Sequence, residues 1–378
     1  MKKRIEKALL IVSVSALLMS GCGGAAPATD NAAEPTLTIE TITPPPVVES
    51  TEAAAEESTE PVDAVPEGMY RSELTNEPID LALKDQRPVA VMVDNEKTAL
   101  QHFGTAEADV IYEIMNSTKN DRITRLMVIV KDWEKITQLG SIRSTRPTNI
   151  LLAAEWNAVL VHDGGPFYIN EYFSRDYAAH FSGGFSRVSN GKAREFTEYV
   201  MAGDLDEKFA ASSYTTTYNE YRVDGGSHFR FAENGAEVNL EERYDTVSPA
   251  TQVSLPFKHN GSQLKYNEST KTYDYYEYGT AHLDAEDNEQ LTFKNVFIQC
   301  CSFTQLDVNG YLVYNCVDTN KEGWYLTNGK AVKVTWTKPD ETGVTRFYDG
   351  SGEEIEINTG KTYITMVPED GWSSLSIS

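Results

Sequence analysis

Cysteine is scarce, four residues in a chain of 378, which excludes a disulfide-stapled scaffold. Lys and Arg are scarce too, 33 against 57 Asp and Glu, and a net charge of -24 rules out holding a nucleic-acid backbone or an anionic bilayer by charge alone. No His-x-x-x-His or Cys-x-x-Cys occurs, the six histidines are dispersed, and Asp307-Val308-Asn309-Gly310 lacks the other ligands of a calcium loop. The sequence therefore predicts no metal and no cofactor. Also missing are the Gly-x-Ser-x-Gly elbow and the Gly-rich phosphate loop ending in Gly-Lys-Ser/Thr, so the common hydrolase and nucleotide-binding signatures are absent. What remains is a chain with 40% hydrophobic residues, enough to exclude global disorder and to build a core without covalent staples.

The chain opens with Lys2, Lys3, Arg4 and Lys7, an apolar run from Ala8 to Leu18, and small residues before Cys22. That run is too short for a comfortable membrane span and has the flanks of a secretory signal peptide, residues 1–21. Met19-Ser20-Gly21-Cys22 is similar to a bacterial lipobox, in which the Cys22 thiol is diacylated and becomes the new N-terminus, although Met19 stands where Leu is commoner. Each buried methylene of such chains contributes about 0.8 kcal/mol, so two or three chains anchor a protein without a transmembrane helix. The expected location is the extracytoplasmic face of the cell membrane. Residues 22–66 read as a tether: Gly23 to Pro66 holds nine acidic residues, seven prolines and no Lys or Arg, with Pro44-Pro45-Pro46 stiffening its middle.

The folded part is expected to be α+β, a mixed α/β domain over residues 67–247 followed by a mostly antiparallel β domain over 248–378. In the first, Pro88–Val93, Asp109–Met115, Ile123–Val130 and Ala158–Val161 are short Val- and Ile-rich runs bounded by turn residues, as buried strands should be. Pro147 opens a helix between them, Phe167–Tyr172 is helix-prone, and Lys192–Met201 reads as another helix that Gly203 would end. In the second, Lys265-Tyr266-Asn267 with Tyr273, Tyr275 and Tyr278 reads as a hairpin with an aromatic face, and Asn328-Gly329 and Asp349-Gly350 as two-residue hairpin turns. Cys300, Cys301 and Cys316 lie in adjacent strands of this domain. One of the first two can pair with Cys316 outside the cytoplasm, the simpler alternative being three buried thiols.

Candidate chemistry gathers in the first domain. Arg143, Ser144 and Arg146 lie at a strand-to-helix junction, where a helix N-terminus favours an anion and guanidinium groups add planar, bidentate recognition of phosphate or carboxylate. The competing reading pairs both arginines with Asp94, Glu113 or Asp163. His162-Asp163-Gly164-Gly165 follows a strand, where open α/β sheets place ligands, and His162 is a candidate base or proton relay. Asp94, Asn95, Glu113, Arg122 and Arg125 would complete a mixed-charge rim if the strand ends meet. Two carboxylates there would suit glycan or phosphodiester hydrolysis.

The motifs RPVAVMVDN at Arg87–Asn95, ADVIYEI at Ala108–Ile114, ITRLMVIV at Ile123–Val130, GSIRSTRP at Gly140–Pro147 and VHDGG at Val161–Gly165 run in one order, followed by LTFKNVFIQ at Leu291–Gln299 and TRFYDGSG at Thr345–Gly352. With them the chain resembles the YerB-like lipoproteins, a bacterial family of unknown function. The resemblance implies a two-domain extracytoplasmic lipoprotein typical of Gram-positive bacteria. It carries over no catalytic role, and Lys192–Phe196 departs from the family pattern of Pro, His and Asn. The leading expectation is a membrane-anchored protein binding an anionic envelope ligand such as a wall polymer. The alternatives are a wall glycan or phosphodiester hydrolase and a non-catalytic adaptor for wall-synthesis proteins.

Overall fold

Strands buried on both faces carry unbroken apolar runs, and three such runs form the centre of the fold: β1 (Val89–Asp94), β2 (Val110–Met115) and β3 (Thr124–Val130), in which every residue is buried. The computed structural model describes residues 65–223 and 228–378, so the signal peptide, the lipobox Cys22 and all of the tether but its last two residues lie outside the described residues. β3 pairs antiparallel with both β1 and β2. Pro147 starts α1 (Pro147–Glu155), since its fixed φ suits a first turn and it has no N–H to leave unpaired. The Arg146 N–H is taken by Asn149 Oδ1 at 3.1 Å. α1 returns the chain to β4 (Val159–His162), parallel to β1, and β5 (His180–Ser182) extends the same edge in parallel.

The second segment supplies a hairpin, β6 (Gln263–Asn267) with β7 (Thr272–Glu277), and then β8 (Asn295–Cys301), β9 (Asp318–Thr327), β10 (Lys330–Lys338) and β11 (Thr362–Pro368). β11 lies parallel between β8 and β2, with Thr362 opposite Val110 and Thr365 opposite Glu113. One eleven-stranded sheet therefore runs β10-β9-β8-β11-β2-β3-β1-β4-β5 with short strands at Ser248–Pro249 and Arg346–Tyr348. All described residues fall in one compact unit. Alternate side chains feed two cores: Ala90, Met92, Tyr112 and Met127 pack under α1, while Val91, Ile111 and Val128 face the six-stranded sheet that holds β6 and β7.

The chain is mostly β with a few short helices, and residue 248 lies within the continuous sheet rather than at a gap between two cores. The helix expected over Lys192–Met201 is a single 3-10 turn, Arg194–Phe196, followed by a strand, Glu198–Met201. Thr197, Tyr199 and Val200 favour extended backbone, and Gly203, at φ 84°, precedes the helix Asp204–Ala210 instead of ending one. Asn328-Gly329 is the expected tight turn, with φ of 51° and 70° and Thr327 opposite Lys330. Asp349-Gly350 belongs to a longer loop, in which the Asp349 carboxylate accepts the N–H groups of Ser351 and Glu353. The aromatic hairpin is present, with Tyr266 opposite Tyr273 and Leu264 opposite Tyr275. Cys300, Cys301 and Cys316 are free thiols, and burial pushes Cys316 up to about 12.

A buried ion pair ties the two segments. Glu155, ending α1, meets Lys338 Nζ at 3.1 Å with both side chains fully buried. Tyr112 Oη and the Thr345 N–H and hydroxyl donate to the same carboxylate, and Lys338 also donates to the Gly343 carbonyl. Lys338→Met strands that carboxylate and should cost about 3–5 kcal/mol in urea unfolding, whereas Glu155→Gln with Lys338→Met should cost clearly less than Lys338→Met alone.

Candidate functional site

The residues singled out in the sequence separate into three groups. Glu113, at the centre of β2, is wholly buried. Its Oε1 accepts from Thr124 Oγ1 at 2.8 Å, Asn260 Nδ2 at 2.7 Å and Ser262 Oγ at 2.6 Å, and its Oε2 from Tyr275 Oη at 3.0 Å and Tyr363 Oη at 2.5 Å. Asn95 Nδ2 reaches the same cluster, donating to Thr124 Oγ1 at 3.0 Å and lying 3.4 Å from Glu113 Oε1. A carboxylate so fully matched has no face left for a substrate, so Glu113 holds the structure together and is not an accessible acid or base. Arg122 is remote from the rim, bound through both terminal nitrogens to Asp370 at 2.6 Å on the surface.

The second group does converge. Arg143 Nε lies 2.5 Å from Asp94 Oδ2 and its Nη1 2.9 Å from Glu195. Arg125 Nη1 donates to Asn116 Oδ1 at 3.0 Å and to the Ser144 carbonyl, while Arg146 donates to the carbonyls of Asn116 at 3.1 Å and Thr145 at 2.8 Å. Asn116 thus bridges two guanidinium groups. Arg125 and Arg146 are 7% and 6% exposed, and among the described residues neither has a carboxylate at ion-pair distance. Burial lowers Arg125 to about 10; burial and the Arg125 charge lower Arg146 to about 9. Tyr311 covers Arg146, its ring centre 4.8 Å from the guanidinium carbon.

His162 and Asp163 make the third group. His162 Nδ1 donates to the Gly164 carbonyl at 2.8 Å, which leaves Nε2 to accept from His180 Nδ1 at 3.0 Å. Both its nitrogens are used and burial lowers it to about 4, so His162 has no free ring nitrogen for the role of base or proton relay that its sequence context suggested. Asp163 faces Arg187 at 3.4 Å beside buried Glu198.

One further group of side chains, outside those singled out in the sequence, has the residue types of a metal site. His102, Glu277 and His282, all buried, bring one ligand atom each to within 4.8 Å of one another. They line a cavity of about 300 Å³. His102 lies in the loop after β1 and the other two flank the turn after β7. Glu277 and His282 were legible as neighbours across the Tyr278-Gly279 turn. His102 was not, because it arrives from far away in sequence. Its loop docks where Gly104, at φ 71°, passes within 2.4 Å of the Gln138 carbonyl at the point a side chain would occupy. Burial raises Glu277 to about 8 and lowers His102 and His282 to about 4.

Two family models match, the N-terminal and C-terminal domains of the protein of unknown function DUF3048, over residues 74–215 and 253–364. The chain belongs to the DUF3048 family. Over 330 residues it is 22% identical to "Putative lipoprotein YerB" of Bacillus subtilis (strain 168), an alignment covering 83% of this chain and 92% of that protein. The crystal structure of YerB from Bacillus subtilis superposes with a TM-score of 0.68 at 19% identity, covering 82% of this chain and 99% of that one, which places the two in one fold. The two family segments are those whose strands meet at the β2–β11 pairing.

The buried histidine yields a pH prediction. An unfolded histidine titrates near ~6.5. His162 titrates at about 4 in the fold, so its contribution to stability is present above the unfolded value and is lost as pH falls through the window between them. On going from pH 7 to 4 the native chain should lose about 3 kcal/mol more than His162→Gln, measured by urea unfolding at each pH.

Proposed function

We propose that this member of the DUF3048 family is a lipoprotein, held at the extracytoplasmic face of the membrane by acylated Cys22, whose folded unit binds an anionic ligand of the cell envelope at Arg125, Arg143 and Arg146. Three points support the anchor: the lipobox-like Met19–Cys22, the acidic Pro-containing stretch behind it, and a relative whose name contains the word lipoprotein. No helix among the described residues is long and apolar enough to cross a membrane. Two or three acyl chains can hold a protein on a bilayer without one.

One observation carries the binding reading. Two guanidinium groups are buried side by side on carbonyl and amide oxygens, while the ion pairs of the nearby Asp94 and Glu195 are made with Arg143. Cations taken out of water without a paired carboxylate are costly, and an anion seated among the three would offset that cost through charge-assisted, planar hydrogen bonds. Arg143, with a fifth of its side chain exposed, connects the group to solvent. A phosphate-bearing or carboxylate-bearing wall polymer has the matching chemistry.

Calorimetric titration of the purified chain with glycerol-phosphate oligomers and with muropeptides is the test. Arg143→Lys, which keeps a cation beside buried Asp94 but loses the planar, bidentate fork, should weaken the bound class about tenfold or more; heats that are absent, or insensitive to this substitution, would remove the site. For the anchor, Cys22→Ala should move the protein from the membrane fraction to the soluble fraction and abolish incorporation of radiolabelled palmitate.

A further inference from the structure

We propose that His102, His282 and Glu277 form a divalent transition-metal site, of the kind that takes zinc, with an open coordination position facing the cavity they line. Ring nitrogens already committed to other partners fix where the imidazole lone pairs lie. His102 Nε2 lies 2.5 Å from the Asp94 carbonyl, an oxygen that only accepts, so the proton is on Nε2 and the lone pair on Nδ1. That Nδ1 is buried and has no hydrogen-bond partner.

His282 is fixed by a longer relay. Asp284 accepts the N–H groups of Gly104 at 3.1 Å, Ala106 at 2.9 Å and Glu286 at 3.0 Å, so both of its oxygens act as acceptors. It also accepts from Thr105 Oγ1 at 3.1 Å, which orients that hydroxyl to receive the His282 Nε2–H at 3.0 Å. The His282 lone pair is therefore on Nδ1, which without an ion accepts the carboxyl proton of Glu277 Oε1 at 2.8 Å, a proton that a bound cation would replace. The second oxygen of Glu277, Oε2, is buried without a hydrogen-bond partner. Two imidazole lone pairs and a carboxylate thus point at one another, each ring held from behind by a carbonyl or by a hydroxyl backed by a carboxylate. That outer shell is characteristic of metal-bound histidines.

Two imidazoles and one carboxylate suit zinc and other borderline divalent ions, and three protein ligands leave a position for water or a small anion. The cavity supplies the space, about 300 Å³, and exposed Gln101, Thr280 and Leu283 on its wall give it a way out to solvent. This site is separate from the arginine group and stands or falls without it.

The experiment uses the full chain, purified in detergent and stripped with a chelator. Cobalt(II) titration should give one equivalent with visible bands of a four- or five-coordinate ion, and zinc should displace it. Glu277→Gln and His102→Ala should each abolish the bands, and Thr105→Val, which touches no ion, should keep the stoichiometry with affinity lowered ~10–100-fold. Bands that never appear, or that persist in both ligand variants, would overturn the proposal. Since either ligand variant can fail to fold, X-ray absorption on the native chain with one equivalent of zinc decides independently. Two imidazole nitrogens in the shell support the site, and a shell of oxygens alone, as the chain's many surface carboxylates would give, refutes it.

Discussion

A carboxylate removed entirely from water must be met by donors, and Glu113 sets that requirement at the middle of the molecule. Its five close donors come from Thr124 on β3, Asn260 and Ser262 in the loop just before β6, Tyr275 on β7 and Tyr363 on β11. Strands from both family segments, and from both sheets, must be in register to bring those groups within 3.0 Å. Shifting a strand by one residue would turn its side chains to the opposite face and leave the charge unmatched, so the cluster selects one stacking of the small sheet on the large one. The Glu155–Lys338 pair applies the same constraint on the opposite face, where α1 meets β10. Apolar area drives the collapse, while these polar clusters decide which collapsed arrangement is allowed.

The constraint also separates structural from available chemistry. Glu113 and His162 both looked reactive by residue type, and in the fold each has its polar atoms committed. Asp94 occupies a different position. Its carboxylate neutralises Arg143 and accepts the Glu96 N–H, while its carbonyl accepts the His102 ring proton. The last residue of β1 therefore sits between the arginine group and the His102–Glu277–His282 cluster, and fixes one member of each.

The strands were legible because their chemistry is local. Val89–Asp94, Val110–Met115 and Thr124–Val130 carry apolar side chains on both faces, Pro147 announces α1, and Asn328-Gly329 can take the positive φ values of a tight turn. The helix expected over Lys192–Met201 was misread for an equally local reason. Gly203 suits a helix end, but a glycine with positive φ just before Asp204 does as well, and the β-branched and aromatic residues at 197–200 tip the balance towards a strand. The rim was half legible. Arg125, Arg143, Ser144 and Arg146 do meet, because the start of β3 pairs with the end of β1 at Asp94 and the segment entering α1 lies against that same end at Val93 and Met92. What pairs with them was not legible, since Glu195 and Asn116 come from segments whose approach depends on packing. The histidine cluster lay further out of reach: 180 residues separate His102 from His282, and no periodicity records that their loops dock.

Buried groups left without partners indicate what the fold tolerates for a reason beyond packing. An unsatisfied buried polar atom costs about 1–3 kcal/mol, and more when charged, against a net stability of about 5–15 kcal/mol for a typical domain. Most polar groups in this core avoid that cost; the thorough matching of Glu113, Glu155 and Asp284 shows the sequence meeting such demands with side chains and backbone alike. Buried polar atoms without a hydrogen-bond partner also occur elsewhere, on Arg87, Gln299 and Thr362 among others, but the bare Nδ1 of His102 and the second oxygen of Glu277 share one cavity, and Arg125 and Arg146 share Asn116. A cation at the first group and an anion at the second would reduce the deficits at both.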